Sequence, residues 1–237
     1  MELSRSYGTA IYCGSMGRTV ICQDAAQAVA GIADGSTVLV GGFGMAGMPT
    51  HLIEALIDQG ATDLTIVSNN AGNGDTGLAA LLAAGRVRKV VCSFPRQVDS
   101  YVFERLYRAG EITLEVVPQG NLAERMRAAG AGIGAFYCPT GVGTPLAEGK
   151  EVRTIDGRDY LLEYPIRGDV ALIGAHVGDR AGNLVYRKTA RNFGPVMAAA
   201  ARLTVAQVAH VVDIGDIDPE TVVTPGIYVD RIVEVSP

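Results

Sequence analysis

The chain has 237 residues, 48% of them hydrophobic, and a net charge of −5. This supports one large α/β domain or two small ones and excludes a disordered chain. The acidic balance leaves no basic field for nucleic acid, and no apolar run approaches the roughly 18 residues needed to cross a bilayer.

Residues 1–15 mix Ser, Gly and Tyr without periodicity and without the charged-then-apolar pattern of a signal peptide. They read as a disordered leader before a single domain over residues 16–237. Residues 24–32 are alanine-rich and open on Asp24, a good N-cap residue, so a helix is expected there. Asp34-Gly35 is a turn, and Val38-Leu39-Val40 reads as a short buried strand. Next comes Gly41-Gly42-Phe43-Gly44-Met45-Ala46-Gly47-Met48-Pro49, with four glycines in seven positions and a proline suited to the first turn of a helix. Leu52, Ile53, Leu56 and Ile57 continue at helical spacing until Gly60 stops them. A strand, a glycine turn and a helix in succession offer backbone N–H groups and a helix N-terminus to an anion. Gly42, Gly44 and Gly47 also have the spacing of a dinucleotide fingerprint, which points to an NAD-type site. That fingerprint needs an acidic residue at the end of the second strand, about 20 residues on. Asp63 has the right count but precedes the strand at 64–67.

After that strand, residues 68–75 form a polar, glycine-containing loop with Asn69, Asn70 and Asn73. It lies at the carboxyl end of a strand, where open α/β sheets place ligands, and three asparagines exceed the needs of one turn. A helix at 78–84, a strand at 89–92, a loop at 93–97 with Arg96 and a helix at 98–108 follow. A strand at 111–117, a loop at 118–121 with Gln119 and a helix at 122–128 continue the alternation. The pattern changes after Gly130. Gly141-Val142-Gly143-Thr144 is a glycine loop. Residues 151–155 and 158–164, joined at Asp156-Gly157, read as a β-hairpin. A buried strand at 169–175, a short helix opened by Gly194-Pro195, and closing strands at 204–212 and 227–235 complete the chain. The expected fold is α/β: an open, mainly parallel sheet with helices on both faces and a β-hairpin insertion.

The chemistry looks incomplete at this level. There is no Gly-x-Ser-x-Gly elbow, no P-loop and no carboxylate pair at a diagnostic spacing. Glu54, Glu104, Glu124 and Glu148 fall on helix faces or turns and read as solvated. Cys13, Cys22, Cys92 and Cys138 are scattered, so reduced thiols are the plain reading, without zinc or disulfides. His51, His176 and His210 are dispersed and read as surface or packed side chains, with no metal implied.

Residues 41–49 resemble the glycine signature Gly-Gly-Phe-Gly-x-x-Gly-x-Pro of the A subunits of family I coenzyme A transferases. The resemblance continues through Ser68-Asn69-Asn70-Ala71-Gly72, Pro118-Gln119-Gly120-Asn121-Leu122-Ala123-Glu124-Arg125 and Gly132-Ile133-Gly134-Ala135-Phe136, and covers residue 16 to the C-terminus. The segment 92–103 inclines it toward members acting on 3-oxoadipate, with those acting on 3-oxobutanoate or acetate close by. The resemblance implies a cytoplasmic transferase with a CoA thioester as substrate and no bound cofactor. It also implies a B-subunit partner whose glutamate, in a Ser-Glu-Asn-Gly setting, is the nucleophile. No Glu-Asn-Gly occurs in this chain. By the same resemblance, that glutamate attacks succinyl-CoA to give an acyl-enzyme anhydride. CoA then returns to form a glutamyl-CoA thioester, and CoA passes to the 3-oxo acid.

Gln119 matches a family glutamine near the reacting thioester, where an oxyanion-supporting donor is worth about 3 kcal/mol. Its plain alternative is a loop residue capping the following helix. Gly41, Gly42, Phe43, Gly44, Met45, Ala46 and Gly47 are the expected CoA-binding and oxyanion residues. Asn69, Asn70 and Arg96 are expected to face the substrate. The planar fork of Arg96 suits a carboxylate, with a solvated side chain or an ion pair to Asp99 as the alternative. Two further readings stay open on the residues alone: an NAD-type oxidoreductase, and a non-catalytic binding subunit for an anionic metabolite.

Overall fold

The computed structural model describes residues 19–235, so the leader expected at 1–15 lies outside the described residues. The chain opens with β1 (Val20–Cys22) and α1 (Ala25–Val29). Asp24 accepts from Gln27 N at 2.7 Å and caps α1 as expected. Then follow β2 (Thr37–Val40), α2 (Thr50–Gln59), β3 (Leu64–Asn70), α3 (Leu78–Ala83), β4 (Val87–Phe94), α4 (Tyr101–Arg108), β5 (Thr113–Val116) and α5 (Gln119–Gly130). Gly60 closes α2 in the left-handed region at φ 96°. The second half contains β6 (Phe136–Cys138), β7 (Val152–Ile155), β8 (Arg158–Glu163), β9 (Gly168–Gly174), β10 (Val177–Asp179), β11 (Leu184–Val185), α6 (Gly194–Ala200), β12 (Ala201–Val208), β13 (His210–Val212) and β14 (Arg231–Glu234).

Eight strands form the main sheet in the order β1-β14-β12-β9-β2-β3-β4-β5, every neighbouring pair parallel. Strand side chains alternate between the two faces. Val38, Val40, Ile66 and Val90 pack against Leu52, Leu56, Leu81 and Phe103 of α2, α3 and α4. Leu39, Val67, Val91 and Ala171 pack on the other face, against Leu122, Met126 and Met197 of α5 and α6. Both faces are covered, which is why the strands read as continuous apolar runs. The expected hairpin is β7–β8, which joins β6 in a small antiparallel sheet. Its turn residues Asp156 and Gly157 both have positive φ, 50° and 75°, as a two-residue hairpin turn requires.

Several expected boundaries are corrected. Residues 68–70 continue β3, with Ser68 beside Cys92 and Asn70 beside Phe94 of β4. Ser93 and Phe94 likewise belong to β4, and Gln119 opens α5. Pro49 stands just before α2 as its N-cap, one position earlier than expected. The strand expected at 204–212 is two strands: β12 lies in the main sheet, while β13 pairs with β10 in a third, three-stranded sheet.

The sheet grows outward in both directions from its centre. β2 to β5 run one way, and β9, β12 and β14 the other. The reversal falls between β2 and β9. Above the carboxyl ends of such a pair, the connections diverge and leave a crevice.

Candidate active site at the carboxyl edge of the sheet

The glycine turn leaves β2 at that reversal. Gly41 N donates to Leu172 O of β9 at 2.9 Å. Gly42 N donates to Asn192 Oδ1 at 3.0 Å. Phe43 and Ala46 exchange backbone hydrogen bonds of 3.0 and 3.2 Å, and Met48 N donates to Met45 O at 3.3 Å. The amides of Gly44, Met45 and Gly47 have no acceptor among the described residues. Phe43 and Met45 sit at the tip, 52% and 60% exposed. Gly44 and Gly47 have φ of 59° and 72°, in the left-handed region. A Cβ at Gly47 would lie 2.3 Å from Ala190 O, whereas one at Gly44 would meet nothing within 4 Å.

The helix end expected to attract an anion is already satisfied. Gln207 Oε1, from β12, accepts from His51 N at 3.1 Å and Leu52 N at 3.3 Å. Thr50 N and Ile53 N donate to Met48 O and Pro49 O. The first turn of α2 therefore has no amide to offer a pyrophosphate, and the NAD-type reading loses its physical basis. The amides left for a ligand are those of the glycine turn.

Asn69 and Asn70 part company by strand alternation. Asn69 is on the α5 side, where Gln119 Nε2 donates to its Oδ1 at 2.8 Å. Ser93 Oγ lies 2.8 Å from the same oxygen. Held from two sides, Asn69 keeps an Nδ2 with no partner among the described residues. Asn70 is on the opposite face and 2% exposed. Its Oδ1 accepts from Gly72 N at 2.9 Å, while its Nδ2 is buried without a partner. The structure therefore joins Asn69 to Gln119 and turns Asn70 into the packing under the loop. Arg96 lies beyond the end of β4 and pairs with Glu104 at 2.7 Å, not with Asp99. Its side chain is 73% exposed.

Sequence reasoning missed Asn192 and Gln207. Asn192 holds the whole glycine turn. Besides accepting from Gly42 N, its Nδ2 donates to Ala46 O at 2.9 Å, to Thr189 O at 3.1 Å and to Ala190 O at 3.1 Å. It does so at a strained φ of 22°. A lone asparagine before Phe193-Gly194-Pro195 carries no local sign of this role. Nearby thiol chemistry is muted: burial pushes the Cys92 thiol, near the end of β4, up to about 12. The rings of His176 and His210 meet edge-on, 5.9 Å between centroids, although the sequence separates them widely. Among the described residues, no three His, Cys, Asp or Glu side chains are grouped to hold a metal ion. No helix among them is long and apolar enough to cross a membrane.

The sequence model described as Coenzyme A transferase matches residues 22–235. The chain is 70% identical over 211 residues to the A subunit of 3-oxoadipate CoA-transferase from Pseudomonas putida, covering 89% of this chain and 91% of that relative. Identity to the A-type chain of the same name from Acinetobacter baylyi is 64% over 210 residues, 89% of this chain and 92% of the relative. Among solved structures, an acyl-CoA transferase from Escherichia coli superposes with a TM-score of 0.81 at 26% identity, over 93% of this chain and 47% of that one. This chain thus spans about half of that longer protein. Glutaconate coenzyme A-transferase from Acidaminococcus fermentans superposes with a TM-score of 0.82 over 92% of this chain and 76% of that one, and at 19% identity it shares the fold.

Proposed function

The chain belongs to the coenzyme A transferase family, and we propose that it is the A subunit of a two-chain enzyme that moves CoA from succinyl-CoA to a 3-oxo acid, with 3-oxoadipate preferred. The observation that carries this reading is the 70% identity, over nearly the whole of both chains, to a relative named for that acid. The missing nucleophile fits it, because a B-subunit glutamate would complete the site. So do the exposed apolar side chains of Phe43, Met45 and Phe94 around the site, at 52%, 60% and 58%, which a partner would cover. The cytoplasm is the compartment this reaction calls for.

In this reading the B-subunit carboxylate attacks the succinyl carbonyl. The C–S bond breaks, CoA leaves as thiolate, and a succinyl-glutamyl anhydride remains. The thiolate then attacks the glutamyl carbonyl, releasing succinate and leaving a glutamyl-CoA thioester. The carboxylate of the 3-oxo acid displaces the thiolate to form a second anhydride. Attack of the thiolate on the 3-oxoacyl carbonyl gives the new thioester and frees the glutamate.

Each addition places negative charge on a carbonyl oxygen. The donors this chain would offer it are the unpartnered amides of Gly44, Met45 and Gly47 and the second N–H of the Gln119 amide. Asn69 would fix Gln119, using the 2.8 Å contact between them. Arg96 would stand on the substrate side with its charge shared with Glu104.

The test is a substrate panel on the chain assembled with a B subunit. Succinyl-CoA-dependent turnover should be fastest with 3-oxoadipate and slower with 3-oxobutanoate. A reversed order would move the enzyme to the 3-oxobutanoate branch. No transfer to either acid would refute the reading.

A further inference from the structure

Glycine-turn geometry leaves one conspicuous group beside it without a role. Arg187, Lys188 and Arg191 stand within five residues, on and just before the 3-10 turn Lys188–Arg191, and all three side chains are exposed. Among the described residues, none of them has a carboxylate within ion-pair distance. Like charges so close together repel one another, and the chain as a whole is acidic at −5.

This basic turn is fastened to the glycine turn. The Asn192 amide that binds Ala46 O also binds Thr189 O and Ala190 O. Ala190 O packs so closely that a Cβ on Gly47 would come within 2.3 Å of it. Lys188 and Asn192 hold positive φ of 52° and 22°, so the turn has a specified shape that the surrounding bonds maintain. Three unpaired cations are therefore presented by a fixed turn in contact with the backbone proposed to receive the thioester. Arg96, in contrast, already has its guanidinium on Glu104 at 2.7 Å.

We propose that Arg187, Lys188 and Arg191 form an anion-binding element of the active site, which holds a charged oxygen group of the substrate away from the reacting carbonyl. The inference rests on the transferase reading above. Two groups have the required chemistry: the far carboxylate of a succinyl or 3-oxoadipyl chain, and the phosphates of CoA. Both present oxygens that a guanidinium fork can grip in pairs and an ammonium can neutralise. Such an element acts in binding, so its loss is read in KM while kcat stays near its wild-type value.

The experiment uses the complex with the B subunit and the charge-removing variants Arg187→Gln, Lys188→Gln and Arg191→Gln, singly and together. Thermal melting and complex assembly serve as controls for folding. KM is measured for succinyl-CoA, for succinyl-pantetheine, which lacks every phosphate, and for 3-oxoadipate and 3-oxobutanoate. A rise of about tenfold or more is expected in variants that assemble normally. If the anion is a phosphate, the rise appears with succinyl-CoA and disappears with succinyl-pantetheine. If it is the far carboxylate, the rise appears with both succinyl thioesters and with 3-oxoadipate, and is absent with 3-oxobutanoate. The charge-keeping Arg191→Lys should recover part of the affinity lost in Arg191→Gln, the part due to charge, while the paired grip of the guanidinium fork stays lost. Should the triple variant fail to assemble, the single variants carry the test. Unchanged KM for every substrate in an active complex would overturn the anion element and leave the transferase reading intact. An inactive wild-type complex would instead refute that reading.

Discussion

At the scale of single residues, two glycines in one turn separate two physical effects. Gly47→Ala adds a Cβ where Ala190 O would be 2.3 Å away, and also forces alanine to φ 72°. Overpacking against backbone and left-handed strain together should cost about 2–4 kcal/mol, seen as a lower melting temperature with activity lost. A Cβ at Gly44 would meet nothing within 4 Å, so in Gly44→Val the left-handed φ of 59° is the main cost within the chain, and the added bulk falls on the ligand side. The complex should still assemble but lose kcat/KM, because relaxing the strain moves the Gly44 and Met45 amides. Unchanged kinetic constants in a folded Gly44→Val complex would make the turn purely structural. Gln119 permits a sharper measurement. One hydrogen of its amide is spent on Asn69, which leaves the other free for the oxyanion role proposed for it. Gln119→Ala should lower kcat by about a hundredfold, the usual loss on deleting one such donor, with KM little changed. A change confined to KM would instead place Gln119 in ground-state binding.

The helix carrying Gln119 is tied down by charge as well as by packing. Behind its first turn, the buried Asn121 donates to Glu163 Oε1 at 3.1 Å, and Lys150 reaches the same oxygen at 2.6 Å, so the hairpin sheet is anchored to α5. On the other side, Arg125 of α5 meets Glu115 of β5 at 3.1 Å, with Lys89 of β4 on Glu115 at 2.6 Å. Burial alone would raise the Glu115 carboxyl, but its bonds to Lys89 and Arg125 outweigh that and hold it below the usual carboxylate range. A folded value below the unfolded one means stabilisation that is present above the unfolded value and lost as pH falls through the folded one. Melting temperature followed from about pH 7 down to about pH 3 should therefore drop less steeply in Glu115→Gln than in the parent, because the glutamine has no charge to lose. An identical slope would mean that this cluster does not contribute to acid stability. These ties also mark what the sequence makes legible. Asp24, Gly60 and Asp156-Gly157 act through their own neighbours, and the helix start, helix end and hairpin turn they mark fall where the sequence predicts, although α1 stops at Val29 and not at residue 32. Ser68, Asn69 and Asn70 read as loop because they are polar. They prolong β3 by pairing with β4, and only Asn69 gains side-chain partners from distant segments, Ser93 and Gln119, whereas Ser68 Oγ and Asn70 Nδ2 are buried without one. The division of 204–212 into β12 and β13 likewise depends on pairing with β10, which no local pattern announces. The site is legible in the same proportion. Its glycine turn is visible as a motif, while the Asn192 clamp crosses 150 residues of sequence to reach it.

Among the described residues, the carboxyl edge of the sheet presents unpartnered amides, which we propose serve an oxyanion, and no side chain is placed as a nucleophile beside them. The loops at the carboxyl edge supply backbone amides from the glycine turn, the Asn69–Gln119 pair and a basic turn. Their titratable neighbours do not supply a reactive group. Burial holds the Cys92 thiol up to about 12, so it is not a thiolate at neutral pH, and Glu104 is occupied by Arg96 and Arg108. The isolated chain should therefore show no succinyl-CoA-dependent transfer at any concentration. Adding a B subunit should produce activity that rises and saturates with the ratio of the two chains. Phe43, Met45 and Phe94, solvated in the free chain, should become protected from solvent over the same range, because an apolar rim around an incomplete site gains most from being covered. The two readouts separate the roles of partner and scaffold. Protection without activity would mean that the B subunit docks but its glutamate does not reach the glycine turn. Robust turnover by the pure chain alone would place a nucleophile within these 237 residues and end the two-chain assignment.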